Sequence, residues 1–90
     1  MRQIVLDAGG WRTVADGWDA LLAALEAPGW HGRNLDALAD SLSGGVNGVA
    51  PPFALCLTGT AALPPDVAAW LDRVAEVFAE AGPAVRLLRA

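Results

Sequence analysis

Between Phe53 and Arg89 the chain reads strand, helix, strand, and no other feature limits its possible folds as much. Phe53-Ala54-Leu55-Cys56-Leu57-Thr58 is a short, almost wholly apolar run, and Val85-Arg86-Leu87-Leu88-Arg89 is a second. Between them Val67, Trp70, Leu71, Val74, Val77, Phe78 and Ala81 recur at helical spacing. This helix is predicted to start near Pro65-Asp66 and to stop at Ala81-Gly82-Pro83. Two strands joined through one crossover helix are expected to pair in parallel, with a right-handed connection. Asp72, Arg73, Glu76 and Glu80 lie off the apolar stripe and belong in solvent.

The preceding half supplies one more strand and two more helices. Residues 3–6 (Gln-Ile-Val-Leu) form a strand closed by the turn-prone Asp7-Ala8-Gly9-Gly10. A helix is expected from Asp16, with Asp16 as its cap and Trp18, Leu21, Leu22 and Leu25 on one face, ending at Pro28-Gly29. A second should run from about Asn34, a good N-cap, to Ser43. Leu35, Leu38, Ala39 and Leu42 give its periodicity, and Gly44-Gly45 its stop. The predicted fold class is therefore α/β: a three-stranded parallel sheet, in order 1-2-3, packed with three helices. Ninety residues suffice for one domain, spanning 1–90.

Charge and composition narrow the function. Six arginines face ten acidic residues, for a net charge of −4. A direct nucleic-acid partner needs a basic surface and is not expected. No apolar run approaches the roughly 20 residues of a membrane-spanning helix, so no membrane is expected either. The apolar stretch at residues 4–6 is too short for the core of a signal peptide, so none is expected, and the single Cys56 cannot form an internal disulfide; a cytoplasmic location is expected. Cys56, inside an apolar strand, reads as a buried small hydrophobe. His31 has no second histidine or cysteine cluster near it, so neither metal nor cofactor is expected; it reads as a loop histidine near a surface. Gly44-Gly45-Val46-Asn47-Gly48 lacks the Lys-Ser/Thr of a phosphate-binding loop. Trp11, Trp18 and Trp70 are assigned to packing, whereas Trp30, in a Pro-Gly loop before a helix, reads as an exposed anchor.

Asp36 and Asp40 stand four residues apart and so share one face of the second helix. Like charges at that spacing cost a helix roughly 0.2–0.5 kcal/mol. By itself the pair reads first as an ordinary solvated face, ahead of a functional one. Two aspartates one turn apart on a short helix also outline no pocket for acid–base catalysis, and no enzymatic activity is expected.

The segment Trp30-His31-Gly32-Arg33-Asn34-Leu35-Asp36-Ala37-Leu38, with Asp40 and Leu42-Ser43-Gly44, resembles the signature of the barstar family, intracellular inhibitors of barnase-like bacterial ribonucleases. Pro28, the order of elements and Val77-Phe78-Ala79-Glu80-Ala81 are also similar. The resemblance implies an inhibitor that binds a basic ribonuclease one-to-one and plugs its active site. It places Asp40 in the enzyme's phosphate-binding pocket, Asp36 and Glu80 as further acidic contacts, and Trp30 against the enzyme's histidine. Gly32, Asn34, Ala39 and Gly44 match other contact positions. A carboxylate is a compact acceptor for arginine, so one held on a helix can imitate a phosphate.

The sequence departs from the family pattern at four places. Ala39 and Gly45 stand where the best-known member has tryptophans, and Trp30 and His31 where it has tyrosines. The implied partner is a ribonuclease with a rim shaped differently from that of barnase, the alternative being an interaction module or antitoxin with another target.

Overall fold

The computed structural model describes all 90 residues. The elements follow in the order β1 (Arg2–Asp7), α1 (Val14–Ala24), α2 (Leu35–Gly44), β2 (Phe53–Thr58), a single 3-10 turn (Thr60–Ala62), α3 (Pro65–Glu80) and β3 (Val85–Arg89). The sheet is parallel throughout, in order β1-β2-β3, with Ile4 opposite Leu55 and Leu55 opposite Leu87. The expected architecture is thus present; the 3-10 turn is an addition that the sequence reading did not include.

Side-chain alternation sends one half of each strand to the core. Phe53, Leu55, Leu57 and Val85 join Trp18, Leu21 and Leu25 of α1, Leu38 and Leu42 of α2, and Val67, Trp70, Leu71, Val74 and Phe78 of α3 in one buried cluster. Trp70 meets Trp11 and Trp18 edge-on, with ring centroids 6.2 and 5.3 Å away, a favoured geometry for aromatic pairs. All three tryptophans are buried, as the sequence reading assigned them. The other side of the sheet is less covered: Val5, Cys56 and Leu88 lie side by side in register, and Val5 and Leu88 are 66% and 52% exposed. Cys56 is therefore partly exposed, where the sequence reading had it buried.

The boundaries of α1 differ from expectation for local reasons. Thr13, not Asp16, is the N-cap: its hydroxyl accepts from the Asp16 N–H at 3.2 Å. The Asp16 carboxylate in return accepts from the N–H groups of Arg12 at 2.9 Å and Thr13 at 3.2 Å, closing a capping box. Those two backbone donors hold the Asp16 pKa below its ordinary value against the opposing effect of desolvation, with lesser help from the Thr13 hydroxyl and the Arg12 charge. At the other end the helix stops at Ala24, before Pro28-Gly29: the N–H groups of Leu25, Glu26 and Ala27 close its last turn on Leu21 O, Ala23 O and Leu22 O, and the carbonyls that follow accept from the loop ahead of β2. Val49 N–H donates to Leu25 O at 3.1 Å and Gly48 N–H to Glu26 O at 2.9 Å, while Glu26 turns into the left-handed region at φ 52°. No helix is long and apolar enough to cross a membrane.

Candidate functional site

Helix α2 begins as its sequence dictates. The Asn34 side chain accepts from Ala37 N–H at 2.8 Å and caps the first turn. Leu38, Ser41 and Leu42 face inward and are buried, which leaves Asp36, Asp40 and Ser43 on the exposed side. Gly45, in the left-handed conformation at φ 70°, ends the helix with its N–H on Ser41 O. A glycine here suits the backbone, since a side chain in that conformation meets steric cost. Helix α2 thus extends one residue past Ser43, to Gly44.

The loop before α2 is tightly tied. Pro28-Gly29-Trp30-His31 is a turn closed by His31 N–H on Pro28 O at 2.9 Å, and Trp30 at its corner is 75% exposed. Gly32 lies so close to the start of α2 that a Cβ on it would fall 2.8 Å from Asn34 Nδ2 and 3.4 Å from Ala37 Cβ. Arg33 reaches back to α1 and pairs with Asp19. Trp30, His31, Gly32, Ala37, Asp40, Ser41 and Val46 line a concavity of about 170 Å³.

His31 stands in the loop near this surface, as expected, but its ring is buried, which the sequence does not foretell: it is only 8% exposed. Its Nε2 lies 3.0 Å from the Ser41 hydroxyl and its Nδ1 2.6 Å from Gly32 O. Sequence reading missed Ser41 as well, although a signal was present. Leu38, Ser41 and Leu42 continue one inward stripe, and a polar residue inside such a stripe needs a partner.

Electrostatically the site is defined by the unpaired carboxylates gathered on and beside α2. Glu26, Asp19 and Asp72 form the three ion pairs of the chain, with Arg2, Arg33 and Arg89. Asp7 and Asp16 accept backbone N–H groups. Asp36, Asp40, Asp66, Glu76 and Glu80 enter none of these interactions and are exposed; of these, Asp36 and Asp40 share the outer face of α2 and Glu80 borders it from α3. Ala39, between the two α2 aspartates, lines a second depression of about 190 Å³ with Ser43 and, from α3, Val77, Glu80 and Ala81.

The predicted contact residues therefore divide by place. Trp30, Gly32 and Asp40 share the first concavity, and Ala39 and Glu80 the second. Asn34 caps α2, Asp36 stands one turn before Asp40, and Gly44 closes the exposed end of the helix. No group of three or more histidine, cysteine or acidic side chains is placed to hold a metal ion. Chemically, this face offers free carboxylates as acceptors for cationic donors, flanked by an exposed indole.

Comparison with curated proteins finds no match. The family model described as Barstar (barnase inhibitor) matches residues 1–87, nearly the whole length. With its parallel three-stranded sheet, its three helices and this match over residues 1–87, the chain belongs to the barstar family.

Proposed function

We propose that the chain is a ribonuclease inhibitor that closes the active site of a barnase-like enzyme with the exposed face of α2 and the Trp30 loop. The observation that carries the reading is that Asp36 and Asp40, exposed and unpaired, share one face of α2, with Asp40 beside the exposed Trp30 and the likewise unpaired Glu80 lining the depression next to Ala39. A ribonuclease holds an anionic phosphodiester with cations and donors. Asp40, at the edge of the Trp30 concavity, takes the place of a phosphate and accepts from the enzyme's arginines and histidine. Asp36 and Glu80 add attraction on its flanks. Trp30 packs on the enzyme's histidine, and Gly32 and Asn34 hold the loop and helix start in place around it. The complex is one-to-one, the partner basic, and the chain has no catalytic role of its own; the encounter takes place in the cytoplasm.

The depression beside Ala39 and Glu80 favours a partner whose rim brings its own bulk to that spot. The same feature supports the second reading, a barstar-like module with a target other than a nuclease. Titration against a panel of small microbial ribonucleases, following RNA hydrolysis, tests the first. Stoichiometric loss of one enzyme's activity is expected. No inhibition anywhere in the panel, together with capture of a non-nuclease, overturns it in favour of the second.

A further inference from the structure

The buried His31 has no part in the contacts proposed above, yet it lies directly beneath them. Its backbone N–H closes the turn at Pro28 O, and both ring nitrogens have partners. The Gly32 carbonyl can only accept, so Nδ1 carries a proton toward it. Nε2 faces Ser41 Oγ, which also touches Leu38 O at 3.0 Å and Asn47 Nδ2 at 3.2 Å. The hydroxyl has a single proton. It serves either the ring, whose Nε2 accepts when Nδ1 holds the single proton of a neutral imidazole, or the Leu38 carbonyl, in which case Nε2 needs a proton of its own to donate to the oxygen. In both arrangements the contact joins residues 10 apart in sequence, and it is the only hydrogen bond between the turn 28–31 and α2.

We infer that His31 is a positioning residue for Trp30: through Ser41 it anchors the exposed turn to α2 and so fixes the indole relative to Asp40. An apolar side chain of similar volume would fill the space without giving a direction. An indole already held in place loses less conformational freedom on binding. The inference rests on the inhibitor reading for its purpose but not for its geometry, and its test separates the two.

Fluorine spectra of protein labelled with 5-fluorotryptophan report the four tryptophans separately, with Trp30 assigned through Trp30→Phe. In His31→Leu and in Ser41→Ala the Trp30 signal should narrow and move toward its position in the unfolded chain, while Trp11, Trp18 and Trp70 stay in place. His31→Gln, which can still reach Ser41, should keep the Trp30 signal near its original position. With barnase as probe, each of the two disruptive changes should weaken inhibition by about tenfold, the scale of one buried hydrogen bond. The double variant should lose no more than either alone, because both remove one contact. His31→Gln should recover most of the loss.

An unmoved Trp30 signal in both disruptive variants overturns the inference, as does a loosened signal with unchanged inhibition, or additive losses in the double variant. If His31→Leu disturbs the core tryptophans, Ser41→Ala, which removes only one oxygen, decides. Failure of the unaltered chain to inhibit any ribonuclease would count against the inhibitor reading alone, and the fluorine spectra would still decide whether His31 anchors the turn.

Discussion

The ring of Trp70 fills the space that a side chain on residue 17 would need: a Cβ built on Gly17 falls 2.4 Å from Trp70 Cζ3 and 2.6 Å from Cη2. Helix α1 can approach α3 only because Gly17 lacks that carbon. The contact supports the whole aromatic cluster of Trp11, Trp18 and Trp70. Gly17→Ala should therefore destabilise the chain by about 1–3 kcal/mol despite its gain in helix propensity, because overpacking a filled core forces side chains from their rotamers. Trp70→Ala should cost about 3–5 kcal/mol. Urea unfolding followed by far-UV circular dichroism measures both.

The capping box at the start of α1 makes a pH prediction. Asp16 has its pKa lowered in the folded state, chiefly by the Arg12 and Thr13 backbone donors. Its stabilisation is therefore present above the ordinary carboxylate pKa and is lost as pH falls through the folded-state value. Asp16→Asn should flatten the acid side of the stability profile and leave its shape above neutrality unchanged. Thr13→Ala should cost about 1 kcal/mol at pH 7. Thermal unfolding measured at a series of pH values checks both.

Asn34 and Gly45 mark the two ends of α2, and each has a distinct cost of replacement. Asn34→Ala removes the bond from Ala37 N–H and should cost about 1 kcal/mol. Gly45→Ala places a Cβ at φ 70° and should cost about 1–2 kcal/mol. A tryptophan at position 45 would meet the same backbone cost, which bears on why this chain departs from the family pattern there. Chemical denaturation of each variant provides the comparison.

Inhibition should depend unequally on Asp36, Asp40 and Glu80. Asp40→Ala should weaken a responsive ribonuclease complex by about 2–5 kcal/mol, a range to which the barnase–barstar pair itself contributes. Asp36→Ala and Glu80→Ala should have smaller effects, mainly on the association rate. Raising the salt concentration should slow association of the unaltered chain and slow it less in those two variants. Stopped-flow mixing with the ribonuclease measures the rates; equal losses for all three substitutions would contradict the central position of Asp40.

The second depression offers a size test. Ala39→Trp should fill the space shared with Ser43, Val77, Glu80 and Ala81 while leaving the fold intact, since Ala39 is only partly buried. Inhibition of barnase should improve and inhibition of the chain's own partner should weaken, because a bulky residue on each side cannot occupy one depression. Paired titrations against the two enzymes read the change as a ratio.

Local periodicity carried the architecture. The apolar stripe of α3, bounded by Pro65 and Gly82, implied one crossover and hence parallel pairing of β2 with β3, and the sheet is parallel in order β1-β2-β3. The inward stripe of α2 likewise implied that Asp36 and Asp40 would face away from the core, as they do. These inferences hold because a helix or strand assigns its faces through spacings of a few residues, visible in the letters themselves.

What pairs with what was settled by folding. Spacing and charge do not say that Asp19 is held by Arg33 across 14 residues while Asp40 enters no ion pair. Nor do they say that His31 would turn inward to Ser41, or that Val5, Cys56 and Leu88 would lie together on the less covered side of the sheet. Such relations depend on how elements distant in sequence dock, and docking is governed by the summed shape of the core rather than by any one segment.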